Sequence, residues 1–167
     1  MNILSLDLSS KSSGWAFFED NKLIDYGCIT SASTDLIKRI YIMRDGIQEV
    51  LNKYTIDKVY VEEVRPQGGF GAGNIQTHRA LMWLQAAIAF MLHDFNKKIV
   101  LEYVYPSTWR ATIGIKNGRG IKRESLKQAD IAFVKERYNI SVNDDIADAI
   151  CLGISQLEPE KNEINWE

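Results

Sequence analysis

Near the start of the chain three β-rich runs follow one another with little connecting sequence. Residues 3–8, 14–19 and 22–29 are joined by the polar turn SSKSS and by a second short turn. Connections this short allow only antiparallel neighbours, because a parallel crossover needs a dozen or more residues. The chain is therefore expected to begin as a three-stranded meander.

The pattern then changes. Leu36, Ile40, Met43, Ile47, Val50 and Leu51 recur at helical spacing over residues 35–52, with Thr34 as the expected N-cap. KVYVEEV (58–64) reads as a strand and RPQGGFGAGN as a glycine-rich loop. A helix over 75–95 is apolar around most of its girth, so it must be deeply buried or pack against a second chain. Residues 98–104 read as a fifth strand, and Pro106 opens a short helix ending near Gly114. IKNGRGIKR is a basic loop, and helices follow over 124–138 and 143–157. Meander strands followed by alternating helices and strands point to an α/β fold, a mixed five-stranded sheet with helices on its faces. A chain of 167 residues suits one domain, expected over 1–158, with 159–167 as a flexible tail.

Composition excludes several classes. MNILSLDLSS has no basic n-region and does not read as a signal peptide. The longest apolar stretch, ALMWLQAAIAFML, is short for a membrane span, so no membrane association and a cytoplasmic location are expected. Two cysteines, Cys28 and Cys151, make neither a disulfide framework nor a zinc cluster, and both are expected to serve as small buried apolar residues.

Against this background the placement of the acids stands out. Asp7 lies in an apolar run between Leu6 and Leu8, where an unpaired carboxylate is costly. Glu62 and Glu63 interrupt a second apolar run. Strand alternation sends Glu62 to the side of Tyr60 and Val64, and Glu63 to that of Val59 and Val61. Asp145 and Asp148, three apart on the last helix, are surface neighbours. On that helix alone they can be explained as a capped, solvated start with Asn143 or Asp144 as the cap. Together, acids on two strands and one helix form an oxygen-ligand set for hard cations such as Mg²⁺. Two such ions about 3.5–4 Å apart can clamp a phosphodiester.

Taken in order, Asp in LDLSSKSSGWA, Glu in VYVEE and Asp-x-x-Asp in DDIADAICLG resemble the RuvC family of Holliday junction resolvases, within the RNase H-like superfamily. The resemblance runs from Asn2 to about Ser155. It implies an RNase H-like sheet with helices on both faces, a homodimer, and two-metal hydrolysis of branched DNA, above all four-way junctions. Asp7, Glu62, Asp145 and Asp148 match the family's catalytic, metal-binding acids, with two Mg²⁺ per site and Mn²⁺ as a substitute. Glu62 is preferred to Glu63 because the family's glutamate follows the apolar run directly. The family's assisting cation falls on Lys122 or Arg123. The chain departs from the family at Leu8-Ser9, where Pro-Gly is common, in a loop after Glu62 richer in glycine, and in a less basic overall composition. A compact chain with such a loop would suit a phage-type resolvase.

DNA contacts are expected from the segment between Tyr105 and Tyr138. It carries eight basic and three acidic residues, a net +5 in a molecule of net −2. The candidates are Arg110, Lys116, Arg119, Lys122 and Arg123. Arg65 and Phe70 in the glycine-rich loop, and Arg79 with His78 at the start of the long helix, join them; Phe70 is a candidate for base stacking.

Three other readings compete. An actin-like kinase fragment would share the first loop but needs a second lobe. A junction binder without catalysis would gain nothing from clustered acids facing DNA. A nuclease of RNA–DNA hybrids is the nearest rival, and the long apolar helix, with its implied dimer, favours the resolvase.

Overall fold

The computed structural model describes residues 1–64 and 72–157. The three-stranded meander is present as β1 (Asn2–Asp7), β2 (Ser12–Glu19) and β3 (Lys22–Thr30). The β2–β3 turn places Asp20 and Asn21 both at positive φ, 46° and 66°, the geometry of the two-residue turn whose twist matches a hairpin. Asp20 also receives the N-terminal ammonium at 2.8 Å.

α1 (Leu36–Lys53) follows, capped by Asp35 rather than Thr34: the Asp35 carboxylate accepts from the amides of Ile37 and Lys38. β4 (Lys58–Glu62) adds parallel to β1, and after α2 (Ala72–Phe95), β5 (Val100–Val104) adds parallel to β4. The sheet order is β3-β2-β1-β4-β5. The chain continues through α3 (Pro106–Thr112), α4 (Arg123–Tyr138) and α5 (Asp144–Ser155). α4 ends on Asn139 in the left-handed conformation, φ 55°. The expected tail at 159–167 lies outside the described residues.

Alternation divides the sheet between two cores. Leu4, Leu6, Phe17, Val59 and Val61 pack under α1 and α2, against Ile47, Leu84 and Ile88. Ile3, Ala16, Phe18 and Tyr60 pack on the other face against Trp109, Val134 and the apolar side of α5. By the same period of two, Asp7 and Glu62 belong to the face that carries α5.

α5 lies unusually close to that face. Ser5 Oγ donates to the carbonyl of Ala149 at 2.7 Å. A Cβ on Gly153 would fall 2.2 Å from the Phe18 ring, and one on Gly14 would fall 1.9 Å from the Asp145 carbonyl oxygen. Small residues on both surfaces thus let the helix backbone settle onto the strands.

α2 buries only one side, through Ala80, Leu84, Ile88 and Leu92. Ile75, Met82, Trp83 and Phe90, the last 73% exposed, form an apolar stripe on the other side at helical spacing. Among the described residues no helix is long and apolar enough to cross a membrane. Cys151 is buried as expected and Cys28 half-buried, its Sγ 3.1 Å from Ser12 Oγ.

Candidate active site

Asp7 and Glu62 are the last residues of β1 and β4. Leu6 pairs with Val61 in the parallel register, so the two carboxylates follow side by side at the C-terminal ends of adjacent strands. This is where open α/β sheets hold ligands. The first turns of α5, capped by Asn143 through a 2.9 Å bond from the Ile146 amide, bring Asp145 and Asp148 to the same end.

A crevice of about 770 Å³ opens there. Asp7, Glu62, Glu63, Asp145, Arg110 and Arg123 are among the residues of its walls. Asp148, 8% exposed, lies behind them. The four acids singled out in the sequence therefore converge, though they come from three separate elements.

Each carboxylate is held differently. Glu62 Oε2 accepts from the indole N–H of Trp109 at 2.9 Å. Asp145 accepts from the Ser12 hydroxyl. Asp148 lies 3.6 Å from Arg110 Nη2, and its buried Oδ1 has no hydrogen-bond partner.

Crowding raises the proton affinity of the cluster. Burial, then the charges of Glu62 and Asp145, push the Asp7 carboxyl well above the usual range, against the pull of Arg110 and Arg123. Burial also raises Glu62, although Arg110, the Trp109 hydrogen bond and Arg123 oppose it. Asp148 is pushed up to about 10 by burial first, then by Asp7, by the neighbouring Asp130 and by Glu62.

Such a cluster calls for added positive charge. The orphaned Asp148 oxygen and the hard carboxylate donors fit divalent cations. Among the described residues no three His, Cys, Asp or Glu side chains close on a common point as a ready cation cage. The donors instead line an open crevice, as suits small cations that take some of their ligands from a substrate phosphate.

The basic residues separate on inspection. Arg123 enters the crevice wall, whereas Lys122, one residue earlier, is the exposed N-cap of α4. Lys116 and Arg119 are exposed on the loop between α3 and α4. Gly114, Gly118 and Gly120 have positive φ there with open space at the Cβ position, so its backbone can approach a phosphate.

Arg110 corrects the sequence expectation. It is 8% exposed, bonded through Nε and Nη2 to the fully buried Asp130 at 3.0 and 2.7 Å, and stacked 4.1 Å over the Trp109 ring. A guanidinium so engaged serves the interior of the site rather than a DNA backbone. His78 faces the crevice, and Arg79, exposed, lies over the Trp83 ring. Arg65 and Phe70 lie outside the described residues.

Three residues that shape the site do not stand out in the sequence: Ser12, Trp109 and Asp130. Asp130 carries the same signal as Asp7, a carboxylate between apolar neighbours (Ala129 and Ile131), yet it sits in a basic segment where it reads as one more surface charge.

Comparison with known proteins places the chain in a family. The family model described as crossover junction endodeoxyribonuclease RuvC matches residues 3–156. Proteins of that description from Clostridioides difficile and Aliarcobacter butzleri are each 28% identical to the chain. The first alignment covers 98% of this chain and 94% of the relative, the second 95% and 99%. Among solved structures, Thermus thermophilus RuvC in complex with a Holliday junction substrate superposes with a TM-score of 0.71. It shares 12% identity, over 93% of this chain and 91% of that one. The yeast mitochondrial Holliday junction resolvase Ydc2 superposes at 0.55 with 15% identity, covering 92% and 76%.

Proposed function

The chain belongs to the RuvC family, and from that premise we propose that it is a structure-selective endodeoxyribonuclease that resolves four-way and other branched DNA junctions. The observation that carries this reading is the convergence of Asp7, Glu62, Asp145 and Asp148 at one end of the sheet, beside a loop with exposed cations.

Asp7, Glu62, Asp145 and Asp148 would hold two divalent ions, taken to be Mg²⁺ with Mn²⁺ as a substitute. Those ions, when bound, supply polarisation of the scissile phosphate and activation of the attacking water. The chain's own residues do the rest. Trp109 and Ser12 fix the orientation of Glu62 and Asp145. Arg123, in the crevice wall, is the cation that meets charge developing on the phosphate, in preference to Lys122. Lys116, Arg119 and Lys122 carry the flanking backbone. The products would bear 5′-phosphate and 3′-hydroxyl ends.

A homodimer follows from the same reading. The exposed stripe of Ile75, Met82, Trp83 and Phe90 on α2 is the surface we assign to the second copy. Twofold pairing would place two crevices on opposing strands of a near-symmetric junction.

The test is cleavage of a synthetic immobile four-way junction in Mg²⁺, with linear duplex and RNA–DNA hybrid as controls. Paired, symmetric nicks confined to the junction are expected. Cleavage of the hybrid alone would replace this reading with that of an RNA-directed nuclease.

A further inference from the structure

Behind the crevice lies a buried three-residue network. Asp130 on α4 is fully buried, and Arg110 on α3 and Asp148 on α5 are each 8% exposed. Arg110 approaches both acids but not equally. Its Nη2 is 2.7 Å from Asp130 Oδ2 and 3.6 Å from Asp148 Oδ1. Nε also donates to both oxygens of Asp130, at 3.0 and 3.3 Å. Stacking on Trp109 fixes the plane of the guanidinium. The guanidinium is thus turned toward Asp130, and the nearer oxygen of Asp148 keeps no hydrogen-bond partner.

Arg110 stays charged at any accessible pH and is only 8% exposed in this position. Deprived of Asp130, it would become an uncompensated buried charge, which is strongly unfavourable. The acid at hand to neutralise it is Asp148. A shift of about an ångström would turn the 3.6 Å approach into a direct hydrogen-bonded pair. Asp148 would then be occupied by an internal cation.

We propose that Asp130 is a positioning residue that holds Arg110 off Asp148 and so keeps Asp148 Oδ1 open to a divalent cation. The inference rests on the assignment of Asp148 as a cation ligand made above. It gives a role to an ion pair whose acid, Asp130, is fully buried and does not reach the crevice.

The test reads cation binding directly, without DNA and without catalysis. Free Mn²⁺ is followed by electron paramagnetic resonance as it is titrated into the full-length protein. Asp130→Asn is expected to weaken Mn²⁺ binding about tenfold, the lower end of what outer-shell partners of metal ligands contribute. Removing the competing cation as well, in Asp130→Asn with Arg110→Met, is expected to restore binding to within about threefold of wild type, a non-additivity that marks direct coupling. Asp148→Asn serves as the control and should weaken binding.

Unchanged binding by Asp130→Asn, with Asp148→Asn weakened, would overturn the positioning role and leave the ligand assignment standing. A double variant as weak as the single would also overturn it, because Asp130 would then act without Arg110. Unchanged binding by Asp148→Asn would remove the ligand assignment and this inference with it. If Asp130→Asn does not fold, the double variant, which removes both partners of the Arg110–Asp130 pair, decides against wild type. Affinity within threefold supports the proposal, and a tenfold loss overturns it.

Discussion

Trp109 Nε1 donates to Glu62 Oε2 at 2.9 Å, joining a fully buried indole on α3 to the carboxylate that ends β4. The bond fixes Glu62 at the end of the sheet where Asp145 and Asp148 of α5 also lie. Trp109→Phe keeps most of the buried ring and deletes the donor. Single-turnover junction cleavage is expected to fall about tenfold, as for other partners that orient catalytic ligands. Thermal unfolding should show a loss of about 1–2 kcal/mol, since a buried acceptor loses its partner. A wild-type cleavage rate would mean that Glu62 needs no such orientation.

Gly14 sets the distance between α5 and the sheet. A methyl group there would sit 1.9 Å from the Asp145 carbonyl, a backbone atom that cannot rotate away. Gly14→Ala should therefore displace the start of α5, costing about 1–3 kcal/mol, and should reduce cleavage about 100-fold, because small misplacements of reacting groups are expensive. Urea unfolding and cleavage measured together check both effects. A variant with intact stability and activity would show that the helix has room to spare.

The acid cluster also predicts a pH dependence for the metal-free protein. The folded-state affinity of Asp148 for its proton is raised, up to about 10, and that of Asp7 is raised as well. Folded protein therefore holds more protons than unfolded protein between the ordinary carboxylate range and about pH 10. Their contribution to stability is fully present at acid pH, below the unfolded value, and is lost as pH rises. In EDTA, the melting temperature should fall from about pH 5 to about pH 8, and Asp148→Asn should flatten that slope. An equally steep slope in the variant would contradict the assignment of Asp148.

Lys116 and Arg119 are exposed on the loop beside the crevice. Replacing either with Gln should weaken junction binding in Ca²⁺ and lower the salt slope of log Kd by about one for each phosphate that the side chain neutralises. A slope that does not move would take the DNA backbone away from this loop.

Much of this arrangement was legible in the sequence, for identifiable reasons. Short connections forced the meander of β1 to β3. A period of two sent Glu62, and not Glu63, to the face with Tyr60, and the structure puts it there. Asp7 was singled out by its apolar neighbours, although it proves to end its strand rather than to sit within it. Other features depended on contacts between distant segments. Counting charges along 105–138 could not separate Arg110, turned inward to Asp130, from Lys116 and Arg119, turned outward. The choice between Lys122 and Arg123 rested on where α4 begins, since one residue rotates a side chain by about 100° on a helix. Trp109 carries no distinguishing signal in the sequence, and its N–H acquires meaning only from Glu62, far away in sequence.

The most direct measurement is junction cleavage by Asp7→Asn at saturating protein in Mg²⁺, paired with junction binding in Ca²⁺. Loss of cleavage by at least about 1,000-fold, with binding within about threefold of wild type, is the expected result, because the carboxylate serves the reaction and not the grip on DNA. Cleavage at the wild-type rate would contradict the assignment of this crevice as the catalytic site.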